Sequence, residues 1–210
     1  MPREKALTSR SANTTRTAVF STKSVLPVLC ESVLEHIYVL LAEFTTEVEQ
    51  IIYQPETFRL RHKGKQVRYT PDFRIIYPCG SYCYVEVKDQ RNLAKEKTVD
   101  RLELIKGFFK DRQEEFYVVS DSELSRNHTL IANLKHLKRY RTRQTQRLDK
   151  FVVKFDKNQQ TTYQDLCNDF GELVATDLIA NQRVWCDLEQ EITSASIIKP
   201  VGGNDYVFTP

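Results

Sequence analysis

The stretch that decides the fold is Tyr69-Thr-Pro-Asp72-Phe-Arg-Ile-Ile-Tyr-Pro-Cys-Gly-Ser-Tyr-Cys-Tyr-Val-Glu86-Val-Lys88. It is rich in aromatic and β-branched residues, as strands are, and Cys79-Gly80-Ser81 interrupts it with a turn. The reading is a hairpin: one strand over Gln66–Tyr77 and a second over Tyr82–Lys88. Neighbouring strands lie about 5 Å apart, so Asp72 on the first and Glu86 on the second can converge on one point. Glu86 and Lys88 are two residues apart and share a face. That face then carries two carboxylates and one ammonium in an otherwise apolar strand context. Charges at the end of a buried strand are costly unless compensated, and a divalent cation compensates paired carboxylates. Lys88 then suits orienting or activating a water, or stabilising charge on a phosphate. These are the parts of metal-assisted phosphodiester hydrolysis. A Glu-x-Lys by itself is far more often an exposed face of an edge strand, with Asp72 then a turn residue. The Pro-Asp on the preceding strand and a helical glutamate upstream favour the catalytic reading.

Outward from this hairpin, Ser32-x-x-Glu35 has the form of a capping box, followed by Val33, Ile37, Leu40, Leu41 and Phe44 at helical spacing. Short strands are expected at Val48–Tyr53 and Phe58–His62, with a Lys63-Gly64-Lys65 turn after them. A charged helix over Leu93–Gln113, a buried strand at Phe116–Ser120 and a helix over His128–Tyr140 complete an α/β core of about 150 residues. A basic connector then leads to about Lys150. Beyond it, Thr161 or Thr162 is placed to cap a helix to Phe170, and Glu172–Ala180 to form another. Arg183–Leu188 and Ile197–Val201 read as strands or further helix, Gly202-Gly203-Asn204 as a turn and Tyr206-Val207-Phe208 as an apolar end.

Composition sets the outer bounds. The 210 residues are 40% hydrophobic and 28% charged, an ordinary globular balance. No run approaches the ~18–20 apolar residues of a membrane helix, and the first residues lack a secretory pattern, so the expectation is a cytoplasmic protein. The five cysteines have no paired zinc spacing and read as reduced thiols. The net charge of +3 is a cancellation: residues 1–24 carry +4, 25–125 carry −3, 126–150 carry +7 and 151–210 carry −5. Two basic segments around a carboxylate cluster suit a DNA backbone, and an acidic tail suits a protein partner. Arg10 and Arg16 in the first segment, Lys138, Arg139, Arg141 and Arg143 in the second, and Gln90 just past the Glu-Val-Lys are the candidate DNA contacts. Trp185 reads as core, and the four histidines have no partner motif.

Pro71-Asp72 followed by Glu86-Val-Lys88 resembles the core of the PD-(D/E)xK nucleases. Taken with Glu31-Ser-Val-Leu-Glu35, Gln54-Pro55, Tyr69-Thr-Pro-Asp72-Phe and Asn133-Leu-Lys-His-Leu-Lys-Arg-Tyr140, the order of segments resembles the TnsA endonucleases of Tn-seven-like heteromeric transposases, over roughly residues 20–140. The resemblance implies a restriction-endonuclease-like mixed sheet flanked by helices, with a small winged-helix-like C-terminal domain. The expected division is a basic arm over 1–22, a nuclease domain over 23–149 and a partner-binding domain over 150–210. It implies a Mg²⁺-dependent endonuclease that cuts the 5′ ends of a transposon beside a DDE recombinase and an AAA+ transposition regulator, associated with a bacterial nucleoid. Glu35, Asp72 and Glu86 would hold two Mg²⁺ ions, with Mn²⁺ as a substitute. Val87 would add its carbonyl, and Lys88 would be the catalytic lysine. Glu31, one turn before Glu35, is the rival helical ligand, and Glu35 also fits the capping box alone. A stand-alone restriction or repair nuclease and a non-catalytic DNA-binding assembly module are the alternatives.

Overall fold

The computed structural model describes residues 17–152 and 160–201. Arg10 and Arg16, like the expected turn and apolar end past residue 201, lie outside them. The chain opens with two short antiparallel strands, β1 (Thr17–Val19) and β2 (Val28–Cys30). Thr17–Val19, within the expected arm, are therefore strand. Helix α1 (Val33–Phe44) follows, and the Ser32 side chain accepts the Glu35 N–H at its start. Strands β3 (Gln50–Tyr53), β4 (Phe58–His62), β5 (Lys65–Tyr69), β6 (Phe73–Ile76) and β7 (Tyr82–Lys88) come next. Helices α2 (Gln90–Leu93) and α3 (Glu96–Asp111) lead to β8 (Glu115–Ser120). Then come α4 (Asp121–Leu124), α5 (His128–Leu137) with a 3-10 turn over Lys138–Tyr140, and α6 (Gln146–Val152). After the gap lie β9 (Thr161–Thr162), α7 (Tyr163–Phe170), α8 (Glu172–Ala180), β10 (Val184–Cys186) and β11 (Ile197–Pro200).

The central sheet has the order β3-β6-β7-β8. Its first three strands are antiparallel, and β8 joins β7 in parallel. A parallel partner needs a crossover, and α2 with α3 supplies it. The result is the expected mixed α/β sheet. Alternation along β7 sorts its side chains between two layers. Cys83, Val85 and Val87 join Tyr38, Val39, Ile51 and Phe73 in the cluster under α1. Tyr84 turns the other way, into a cluster with Phe58, Leu60, Ile105 and Phe109. Phe109 stacks on Phe116 with ring centroids 5.0 Å apart.

One strand expected as continuous is broken. Gln66–Tyr77 divides into β5, which pairs only with β4 in a two-stranded ribbon, and β6, which enters the central sheet. Pro71 stands between them and has no N–H to give a ladder, so the chain changes sheets there. The turn after β6 is as expected: Gly80, at φ +83°, donates its N–H to the Tyr77 carbonyl at 2.8 Å.

The C-terminal stretch folds as α7, α8 and the small antiparallel sheet β10-β11-β9. The boundary expected at residues 149 and 150 falls inside α6. A single hydrophobic cluster unites Leu40 and Phe44 of α1, Leu134 of α5, Leu148 of α6, Leu178 of α8 and Ile198 of β11. Among the described residues, no helix is long and apolar enough to cross a membrane.

Candidate active site

Asp72 and Glu86 meet where β6 begins. The last pair of the ladder is Phe73 with Val85, so by the same register Asp72 stands opposite Glu86. Directly opposite residues project to one face. Lys88 Nζ lies 2.7 Å from Glu86 Oε1 and 3.9 Å from Asp72 Oδ2. The Val87 N–H donates to Asp72 Oδ2 at 2.8 Å. In an extended strand a residue's C=O points to the same edge as its N–H. The Val87 carbonyl thus faces the edge that β6 vacates, beside Asp72. The sequence motif therefore folds into one compact group of two carboxylates, one ammonium and one free-edge carbonyl.

Tyr69 is a further member whose role sequence reasoning missed. It is buried at the end of β5, and its hydroxyl donates to Glu86 Oε2 at 2.8 Å. Its position just before Pro71-Asp72 was a signal: the same break that frees Asp72 carries the preceding aromatic across the face of β7. Burial and the Glu86 charge push the Tyr69 hydroxyl well up, so it remains a donor.

The electrostatics show too little positive charge for the carboxylates present. Burial, reinforced by Glu86, pushes the Asp72 carboxyl up to about 7, against the opposing pull of Lys88 and the Val87 N–H. Burial alone would lower the Lys88 ammonium, but Asp72, Glu86 and Glu35 outweigh it and hold it above its usual value. Lys88 is thus a cation at neutral pH, which suits holding negative charge on a phosphate rather than accepting a proton. The donors are hard oxygens, as Mg²⁺ requires, and a divalent ion would supply the missing charge. By chemistry and placement Asp72, Glu86 and the Val87 carbonyl fit one such ion. Among the described residues, no three His, Cys, Asp or Glu side chains converge as a metal cluster.

Glu35 is nearby and otherwise engaged. Its carboxylate accepts the Glu31 N–H at 2.8 Å and the Ser32 hydroxyl at 3.0 Å. Burial raises the Glu35 carboxyl, while those two bonds and the charge of Lys88 act to lower it. It also acts electrostatically on Asp72 and, together with Glu31, on Tyr53. Glu35, in the first turn of α1, and Glu31, which precedes the helix and so is not the helical ligand the sequence suggests, share the pole of the site. Glu35→Gln separates the two uses of this residue. Glutamine keeps the capping geometry, so thermal unfolding should stay within about 1 kcal/mol of wild type. A simultaneous fall of ~10²-fold in cleavage rate would give Glu35 a metal role. Unchanged cleavage would leave it a cap.

The expected DNA contacts are placed unequally. Gln90 opens α2, with its backbone N–H on Asp121 Oδ1 at 2.8 Å and its side chain exposed. Arg139 is exposed and Lys138 half-buried. Arg143 is spent on the carbonyls of Ser21, Thr22 and Ser24. Arg141 corrects the expectation most clearly, because its guanidinium is turned inward onto Glu43, the Ala180 carbonyl and the Phe44 ring.

Residues 45–121 match the family model described as TnsA-like endonuclease N terminal. The recognition made from the motifs stands on that stretch. The TnsA-like segment runs from the end of α1 to the start of α4, so it contains the β4–β5 ribbon, the whole central sheet and Tyr69, Asp72, Glu86 and Lys88. Glu35 and the basic residues after 125 lie outside the matched stretch. No curated protein matches the chain.

Proposed function

We propose that this chain is the Mg²⁺-dependent endonuclease subunit of a heteromeric cut-and-paste transposase, and that it cleaves the 5′ ends of the transposon. The convergence of Asp72, Glu86 and Lys88 at one strand end, within a TnsA-like segment, carries this reading. Asp72, Glu86 and the Val87 carbonyl would hold the ion, Mg²⁺ or Mn²⁺, which supplies an activated water and charge for the leaving oxygen. Glu35 would serve a second ion or shape the field of the first. Tyr69 holds Glu86 by one oxygen and leaves the other toward Lys88. Lys88, kept protonated, neutralises the attacked phosphate.

The DDE recombinase and the AAA+ regulator are the proposed partners, with DNA of the transposon ends as substrate. The acidic part after residue 150, two helices and a three-stranded sheet, is the proposed partner-binding, winged-helix-like portion. Reconstitution with the recombinase on an end-labelled transposon tests the division of labour. Loss of the Asp72 carboxylate should stop 5′ cuts and leave 3′ cuts intact. Persistence of 5′ cuts would refute the reading, and full activity without the recombinase would favour a stand-alone nuclease.

Tyr69→Phe probes the positioning of Glu86. One hydrogen bond to a charged acceptor is worth about 1.5–3 kcal/mol, and its loss should lower cleavage by ~10-fold or more. Raising Mg²⁺ should restore part of that rate if Glu86 has only lost its orientation.

A further inference from the structure

The β4–β5 ribbon carries Arg59, Arg61, Lys63, Lys65 and Arg68, with no acidic residue between Glu56 and Asp72. This concentration is hidden in the bulk charge, because residues 25–125 sum to a negative value. Arg59 and Arg68 are register partners, as are Arg61 and Gln66, so three guanidiniums project from one face. All three are exposed. Like charges directly opposite each other destabilise a ribbon unless something anionic lies across them. Among the described residues, Lys63 alone of the five has a carboxylate partner, Asp100 at 3.3 Å.

The opposite face explains why the ribbon stays put. Phe58, Leu60 and Tyr69 are buried against Tyr84, Ile105 and Phe109. Between ribbon and α3 runs a groove of about 350 Å³, lined in part by Lys63, Arg68, Lys97, Arg101 and Tyr69. The Arg101 guanidinium lies 6.0 Å from the Tyr69 ring centre, and the Tyr69 hydroxyl touches Glu86. The groove thus reaches from the basic ribbon to the buried Tyr69, whose hydroxyl is on Glu86; Asp100, paired with Lys63, is the acidic residue among its lining.

We propose that the β4–β5 ribbon and the groove beneath it are a phosphate-backbone track that leads duplex DNA to Asp72 and Glu86. This deepens the nuclease reading and depends on it. Contacts of this kind neutralise phosphates without reading bases, so their mark is salt dependence.

The test uses the full chain with Arg59→Ala/Arg68→Ala, its Lys/Lys counterpart, and Lys106→Ala/Lys110→Ala as an equal charge loss on the solvent face of α3. Binding of a duplex oligonucleotide is measured in EDTA across a salt series. The Ala/Ala variant should bind ~10-fold more weakly at low salt and lose about two from the slope of log affinity against log salt. The Lys/Lys variant should keep most of that slope, and the α3 variant should lose markedly less than Ala/Ala. Thermal unfolding of Ala/Ala should be equal to or above wild type, because a like-charge pair is relieved. Unchanged affinity and slope in Ala/Ala, or an equal loss in the α3 variant, overturns the track while cleavage by wild type leaves the nuclease reading intact. A wild-type chain that neither binds nor cuts duplex DNA overturns both.

Discussion

Asp72→Asn is expected to lower DNA cleavage by ~10³-fold or more, about 4 kcal/mol of transition-state stabilisation, while leaving the fold in place. The side chain is nearly isosteric, and its oxygen can still accept the Val87 N–H that Asp72 Oδ2 accepts at 2.8 Å. What disappears is a negative charge opposite Glu86. In the folded protein the Asp72 carboxyl is raised to about 7, above the ~3.9 of an unfolded chain. A carboxyl raised on folding opposes stability once pH exceeds its unfolded value, increasingly up to its folded value. Without metal, the variant should therefore melt at or above the wild-type temperature near pH 7. Any rise in melting temperature that Mg²⁺ or Mn²⁺ produces in wild type should vanish in the variant, and chelation of wild type should abolish cleavage. A variant that cuts within tenfold of wild type would remove Asp72 from the chemistry.

Arg141→Ala is expected to cost about 3–5 kcal/mol of folding stability, the usual effect of stranding one member of a buried ion pair. Glu43 is fully buried, and Arg141 is 9% exposed in its side chain. Arg141 Nε lies 3.2 Å from Glu43 Oε1, and Nη2 donates to the Glu43 carbonyl at 2.8 Å. The Ser21 hydroxyl and the Thr22 N–H donate to the same carboxylate. Replacing both partners, Glu43→Leu with Arg141→Met, should recover part of the loss, because neither charge is then stranded. The pair also sets an acid limit. Burial alone would raise Glu43, but Arg141, Lys138, Ser21 and Thr22 hold it below the usual value. Its contribution is complete above the unfolded value of ~4.3 and is lost as pH falls through the lower folded value. The stability gap between wild type and Glu43→Gln, measured by denaturant unfolding, should therefore be wide at pH 7 and narrow in acid.

Local alternation and turn chemistry made much of this molecule legible. β4 and β7 have the expected bounds because apolar residues strictly alternate or cluster there, and α1, α7 and α8 because Ser32, Thr162 and Gly171 mark their starts. The Asp72–Glu86 meeting was legible because Cys79-Gly80-Ser81 fixes the register of the two strands. The exchange of sheets at Pro71 was not, since the alternation of Gln66–Tyr77 runs through it unbroken. Arg141 was misjudged for a different reason. A run of cations shows charge and no partners, and the carboxylate that draws Arg141 inward lies 98 residues earlier. Tyr69 was in view as part of the motif, but a hydroxyl reaching across to a second strand is a tertiary fact.

Helix α1 carries Glu35 near one end and Glu43 and Phe44 at the other, with Glu35 and Glu43 about 12 Å apart along the axis. Its far half supplies Leu40 and Phe44 to the core that Leu178 and Ile198 complete. The described residues 160–201 are therefore not interchangeable cargo. A recombination event that replaced them would leave half a core without its complement. A replacement able to serve another partner would have to arrive already fitted to α1 and α5, so new specificities are more accessible by substitution on the outer surface than by exchange of the whole piece.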